Sequence, residues 1–307
     1  MDAFTFPDSW EFASLVCKWF LYLGTASIAG GSLCAWRFSD GSRRALSSNL
    51  LYIILGSALG FQAVVLNFLV QVGVINGSGL RGMFDWGMVS LLLDTSLGDV
   101  TFLRLAGFVV ALVTASLMLR KINRLTQAPG ITFFRVLMSR SLIAIFLIAL
   151  SFKVGGHVSI LSTTAQLAVV LHVMAMSAWI GSLYPLLKIT QTADMALLQQ
   201  IMKKFGDSAI VILIVLVVAG VLMLLQLVGI SSELFSTAYG LSLVAKLVMV
   251  VAILCVAAIN KMVLVPQIVA QNSAEKIRTS IRVEMFCASL IFILTSYLAT
   301  IIAPPGH

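Results

Sequence analysis

The sequence predicts an all-α polytopic membrane protein of eight transmembrane helices, built as two parallel four-helix repeats with both termini in the periplasm. Three observations predict it. The 307 residues are 60% hydrophobic and only 10% charged, where soluble domains run nearer a quarter charged. Eight apolar runs are long enough to cross a bilayer, which takes about 20 residues. Their connections carry basic residues on one side. The polar stretches between runs are too short for a soluble domain of ~50 residues.

The spans fall at about 12–36, 48–75, 100–121, 136–154, 160–187, 207–229, 240–265 and 282–302. The first is read as a retained helix, because the start carries Asp2, Asp8 and Glu11 and no basic region of a cleaved signal. The stretch 83–93 is apolar but short and holds Asp85, so it reads as an interfacial segment. Arg37, Arg43 and Arg44 follow the first span, and Arg120 to Arg140 flank the third connection. Lys188, Lys203 and Lys204 occupy the fifth connection, and Lys261 to Arg282 the seventh. Together these make 15 of the 20 basic residues, all on one side. The positive-inside rule makes that side cytoplasmic. It also accounts for the net charge of +8 without nucleic acid. Membrane lipid is the expected surrounding, and homo-oligomerisation stays open.

The halves 1–155 and 156–307 resemble each other. Leu21, Ser27, Gly31, Ser32 and Leu33 match Leu171, Ser177, Gly181, Ser182 and Leu183 at an offset of 150. Thr95, Gly98 and Arg104 match Thr237, Gly240 and Lys246 at 142, and Arg135, Val136 and Met138 match Arg282, Val283 and Met285 at 147. Ile-Asn followed by a base recurs at 122–124 and 259–261. Four spans per half is an even number, so the repeat is parallel. Tyr22 stands where His172 stands in the second half, which points to the second half as the seat of the chemistry.

Ionisable groups inside a membrane are expensive and therefore functional candidates. His172, one of three histidines, lies ~12–18 Å below the outer end of its span. Met176 is about 40° from it around the helix and Trp179 about 20°. Met174 points elsewhere. Ala165 and Ala168 share the face and leave room for a path from outside. Thioether with imidazole suits Cu(I); imidazole alone suits Cu(II), zinc or haem iron. The alternative is a histidine that hydrogen-bonds a neighbouring helix while the methionines pack. His157, after Gly155 and Gly156, is a second ligand or relay, or else a loop histidine. Met83 and Met88, beside Asp85 and Trp86, are candidates for recruiting a soft cation, with a tryptophan anchor as the other reading. Arg104, Lys246 and Glu284 read as structural or gating residues; for Glu284 a local ion pair with Arg282 at the cytoplasmic boundary is the first reading and proton coupling the other. The cysteines, Cys17, Cys34, Cys255 and Cys287, read as buried thiols. No nucleotide-binding, phosphorylation-site, metalloprotease or serine-hydrolase motif is present, so the chain reads as a non-enzyme.

Several pieces of the second half occur in order: the Gly-Gly-His at 155–157, LHVMAMSAWIGSLYPLL, KKFGDSAIVILIVLVVAG, STAYGLSLVAKLVMVVAILCVAAINKMVLVPQ, and the Arg282-x-Glu284 start of the last span with Pro304–Pro305 after it. In these, residues 153–305 resemble the copper-resistance protein D (CopD/PcoD) family. The resemblance implies an inner-membrane protein of copper homeostasis in a bacterium. It also implies a periplasmic copper-binding partner and copper-handling roles for His157 and His172. Few histidines and no Met-rich repeats argue against storage. The expected function is copper movement from periplasm to cytoplasm through His157, His172 and Met176. The alternative is a membrane redox protein holding a b-type haem or copper centre and exchanging electrons with quinone.

Overall fold

The computed structural model describes residues 6–125, 127–155, 162–227 and 238–301. The described residues form helices, turns and connecting coil, without strands. Eight helical segments are long and apolar enough to cross a membrane. They comprise α1 (Ser9–Arg37), α2 (Arg43–Asn76), α4 (Ser96–Arg124), α5 (Ile131–Val154), α6 (Thr163–Ile189), α7 (Met195–Leu227), a seventh in two pieces, α8 (Ala238–Ile259) and α9 (Val265–Gln271), and α10 (Glu275–Leu298). The interfacial stretch becomes a 3-10 turn, Gly79–Phe84, and a short helix, α3 (Trp86–Leu93).

Local chemistry sets many of the ends. Asp8 and Glu11 form a capping box on α1. Ser42, Asp85, Thr95 and Ser162 accept amide protons at the starts of α2, α3, α4 and α6. Gly77 ends α2 at φ +71°, a left-handed cap that side chains disfavour. The amphipathic first turns of α7 extend it well before the expected position 207: Leu198, Ile201 and Met202 are buried while Lys203 and Lys204 stay exposed.

In the first half α1 packs on α2, α2 on α4, α4 on α5, and α5 returns to α1. In the second, α6 packs on α7, α7 on α9, α8 on α10, and α10 returns to α6. The halves meet where α1 lies against α6, flanked by α1 on α10 and α5 on α6. At the α1–α6 crossing the backbones touch. A Cβ built at Gly30 would fall 1.8 Å from the carbonyl carbon of Gly181, and one at Gly181 would fall 1.8 Å from Ala26 O. Small residues permit this approach where lipid supplies no hydrophobic drive between helices. Among the described residues the two largest apolar cores lie around Phe108, Leu137 and Ile148 and around Leu183, Leu198 and Ile281. Exposed Val211, Ile214 and Val218 of α7 and Val248 and Val251 of α8 present an apolar surface suited to lipid.

Candidate functional site

His172 lies nine residues into α6, so about 13 Å along it. Its Nδ1 is 3.1 Å from the carbonyl oxygen of Leu216 on α7. A carbonyl only accepts, so Nδ1 carries the proton and donates; in the neutral ring Nε2 then keeps its lone pair. The ring fits because position 220, one turn beyond, is glycine: a Cβ there would stand 3.3 Å from Cε1 and 3.5 Å from Nδ1. A backbone carbonyl that fixes the tautomer and aim of an imidazole is the arrangement found behind histidine metal ligands. It equally satisfies the reading of His172 as a bond between helices. The Lys246 ammonium of α8 acts on the ring electrostatically. A cation on Nε2 would meet this like charge, which favours transient over tight holding.

The other side chains of this helix divide between the cores. Met176 is half-buried against the second-half core with Trp179, which is 3% exposed. Met174 packs the opposite way, with Phe152, Val170 and Val173. Ala165 and Ala168 are 0% and 3% exposed; helix packing covers them, so they line no open path. His157 lies outside the described residues.

The first half shows what the same scaffold does without histidine. Tyr22 is buried between Phe152 and Phe292, with ring centroids at 6.1 and 5.6 Å. Arg104 lies 4.9 Å over Phe152, and its Nε donates to Ser151 Oγ at 2.9 Å. Arg104 and Tyr22 thus both approach the Phe152 ring. Sequence reasoning paired Arg104 with Lys246 but did not connect Arg104 to the Phe152 ring it covers.

Glu284 requires a correction. It does not pair with Arg282, which is exposed. It is 3% exposed and accepts a hydrogen bond from Asn260 Nδ2 at 2.6 Å. Residues two apart on a helix point about 200° apart, so the expected local pair has no geometry. Asn260 was missed as a site residue; its only signal was the recurring Ile-Asn-base pattern.

Residues 199–298 match a family model described as CopD, copper resistance protein D. The match covers about a third of the chain. The match takes in most of α7 and all of α8, α9 and α10, so it includes Leu216, Gly220, Lys246, Asn260 and Glu284 but stops short of His172. It implies a role in copper resistance. No curated protein matches the chain, and no solved structure does.

Outside the CopD match, Met83 packs over Gly73 beside Trp10, and Met88 packs with Phe68, Val72 and Leu92. Trp86 is 75% exposed, as an interfacial anchor would be. The cysteines are free, but the expectation that all are buried fails: Cys17 and Cys34 are buried, Cys287 is half-buried and Cys255 is exposed on the lipid-suited face of α8. Among the described residues no three His, Cys, Asp or Glu side chains converge on a metal position. The geometry gives the haem alternative no support.

Proposed function

We propose that this protein moves copper ions across the bacterial inner membrane, from periplasm to cytoplasm, with copper as its cargo. His172 is the central ligand, His157 the outer ligand and Met176 a helper; Met83 and Met88 recruit at the periplasmic face, where a copper-binding protein delivers the ion. The observation that carries the reading is the His172 ring itself, whose Nδ1 is committed to the Leu216 carbonyl so that Nε2 is left as a neutral ligand at lipid depth. The CopD match supplies the metal. A single imidazole with a thioether nearby and a like charge beside it suits handing an ion on rather than storing it.

The chain is read as two repeats, 1–155 and 156–307, with both termini periplasmic. The recurring neighbour order of the two halves supports the repeat, and the basic connections support the orientation. Copper uptake into proteoliposomes, wild type against His172→Ala, tests the function. Uptake is expected to fall by at least tenfold in the variant. Equal uptake removes His172 from the mechanism, and a Soret band lost in His172→Ala would replace transport with electron transfer.

A further inference from the structure

The seventh span changes its hydrogen-bond ladder deep in the second half. Between α8 and α9 lies a π turn, Asn260–Leu264, in which the Val265 N–H reaches back to Asn260 O. Pro266 follows and cannot donate to any ladder. Gln199 of α7 pins this stretch, its Nε2 donating to the carbonyls of Val265 at 3.0 Å and Pro266 at 2.9 Å. Such turns are frequent at functional positions, and this one carries Asn260.

Two unfinished polar groups meet there. Asn260, 8% exposed, donates from Nδ2 to Oε1 of Glu284, which is 3% exposed. Asn260 Oδ1 is buried and has no hydrogen-bond partner. Buried polar atoms are seldom left so, and each exception calls for an explanation. Packing does not supply one. At the offset of 147 that aligns Arg135 and Met138 with Arg282 and Met285, the first half has Leu137 where Glu284 stands. Leu137 is 0% exposed, so the scaffold closes there with hydrocarbon.

The chemistry of the free atoms selects the ligand. Oε2 and Oδ1 are both oxygen acceptors. A copper ion prefers nitrogen or sulfur, and hard metal cations take about six oxygens or more. A proton needs two. Carried on Oε2 and donated towards Oδ1, it removes the buried charge and fills the orphan acceptor together, closing an acid–amide pair whose other bond is already present. We infer that Glu284 and Asn260 form a proton-binding site in the inner half of the membrane. This goes beyond copper transport and does not depend on it.

The neighbouring charges are committed elsewhere. Lys261 of the π turn pairs with Asp207 of α7 at 2.5 Å, and Asp207 is 62% exposed, which brings water-contacting charge within one residue of Asn260. On α6, Lys188 lies 5.6 Å over Tyr184. On α1, Lys18 is bonded to Ala299 and Thr300, and Cys34 faces Ser182. Lys246 of α8 acts on His172. On α10 itself, Arg278 is held by Glu275 and Thr190, and Arg282 is exposed.

Infrared difference spectroscopy on the full chain in lipid, without copper, tests the site. A carboxylic-acid carbonyl band that appears and vanishes with pH and shifts in heavy water is expected, with its loss in Glu284→Gln. Asn260→Leu keeps the carboxyl, so its band should persist at a higher frequency, which keeps the test decisive if Glu284→Gln misfolds. No acid band from Glu284 at any pH would overturn the inference. A band that answers to sodium at fixed pH, or one unmoved in Asn260→Leu, would overturn it too.

Discussion

Replacing Gly181 with alanine drives a methyl group into the crossing of α1 and α6. The new Cβ would stand 1.8 Å from Ala26 O and 3.0 Å from Gly30 N, where ordinary contact begins at 3.4 Å. The helices must therefore part by about 1.5 Å at this point. The obstacle is backbone, which cannot turn aside as a side chain does. Overpacking costs about 1–3 kcal/mol, and a rigid obstacle places this case near the top, at about 3 kcal/mol. That lowers the folded-to-unfolded ratio roughly 150-fold. Thermal unfolding of the purified chain in detergent measures it. Gly130→Ala is the control, since a Cβ there meets nothing within 4 Å; its change should stay below about 1 kcal/mol. Gly30→Ala should behave like Gly181→Ala, and the double variant should cost less than their sum because both part the same pair. A Gly181→Ala protein that melts with wild type would refute the backbone contact and with it the argument that glycine is required there.

Three further outcomes follow from the site and its surroundings. Nitrogen NMR should show wild-type His172 protonated at Nδ1 and bare at Nε2, and Gly220→Ala, which presses on the ring, should mix the tautomers; an Nε2-protonated wild type would contradict the assignment. Ser151→Ala strips Arg104 Nε of its acceptor and should cost about 1.5–3 kcal/mol of stability in the same melting assay; no change would mean that water replaces the serine. Asp85 accepts from the Met88 amide and from Asn76, which holds its carboxyl below the ordinary aspartate value. Its folded value lies below the unfolded one, so the capping of α3 is complete above the ordinary value and lost as pH falls through the folded one. Protection of the Trp86–Leu93 amides, measured by hydrogen exchange and corrected for the intrinsic pH dependence of the exchange rate, should therefore fall in acid for wild type and be low at every pH in Asp85→Ala.

The spans were legible because apolar length alone decides them, and among the described residues each of the eight expected runs falls on a helix. Their ends were less so. A hydropathy window sees the lipid-crossing part of α7 and overlooks the turns that bury Leu198 and Ile201 against protein. His172 could be singled out by rarity and depth, but its partner, the Leu216 carbonyl, is backbone and leaves no mark in composition. Gly220 is legible only once α7 lies beside α6. Glu284 was misread because its nearest charge in the chain was taken for its nearest charge in space. Its real partner is 24 residues away, brought in by the return of α10 to α8. Ala165 and Ala168 show the converse: small residues on the right face fit a path and a close packing equally well, and the structure has the packing.

The π turn also means that the seventh span holds one residue more than an unbroken α-helix would need. Each residue advances a helix by about 100°, so the part after Leu264 is rotated by roughly that much against the part before Asn260. The outer and inner stretches of this span are therefore indexed separately, and composition alone does not say how. Deleting any one residue from 260–264 would restore a continuous ladder and leave every apolar side chain beyond it in place in the list, yet swing one stretch about a quarter-turn against the other. Chain length at this point, counted to the single residue, fixes which way the amide of Asn260 faces.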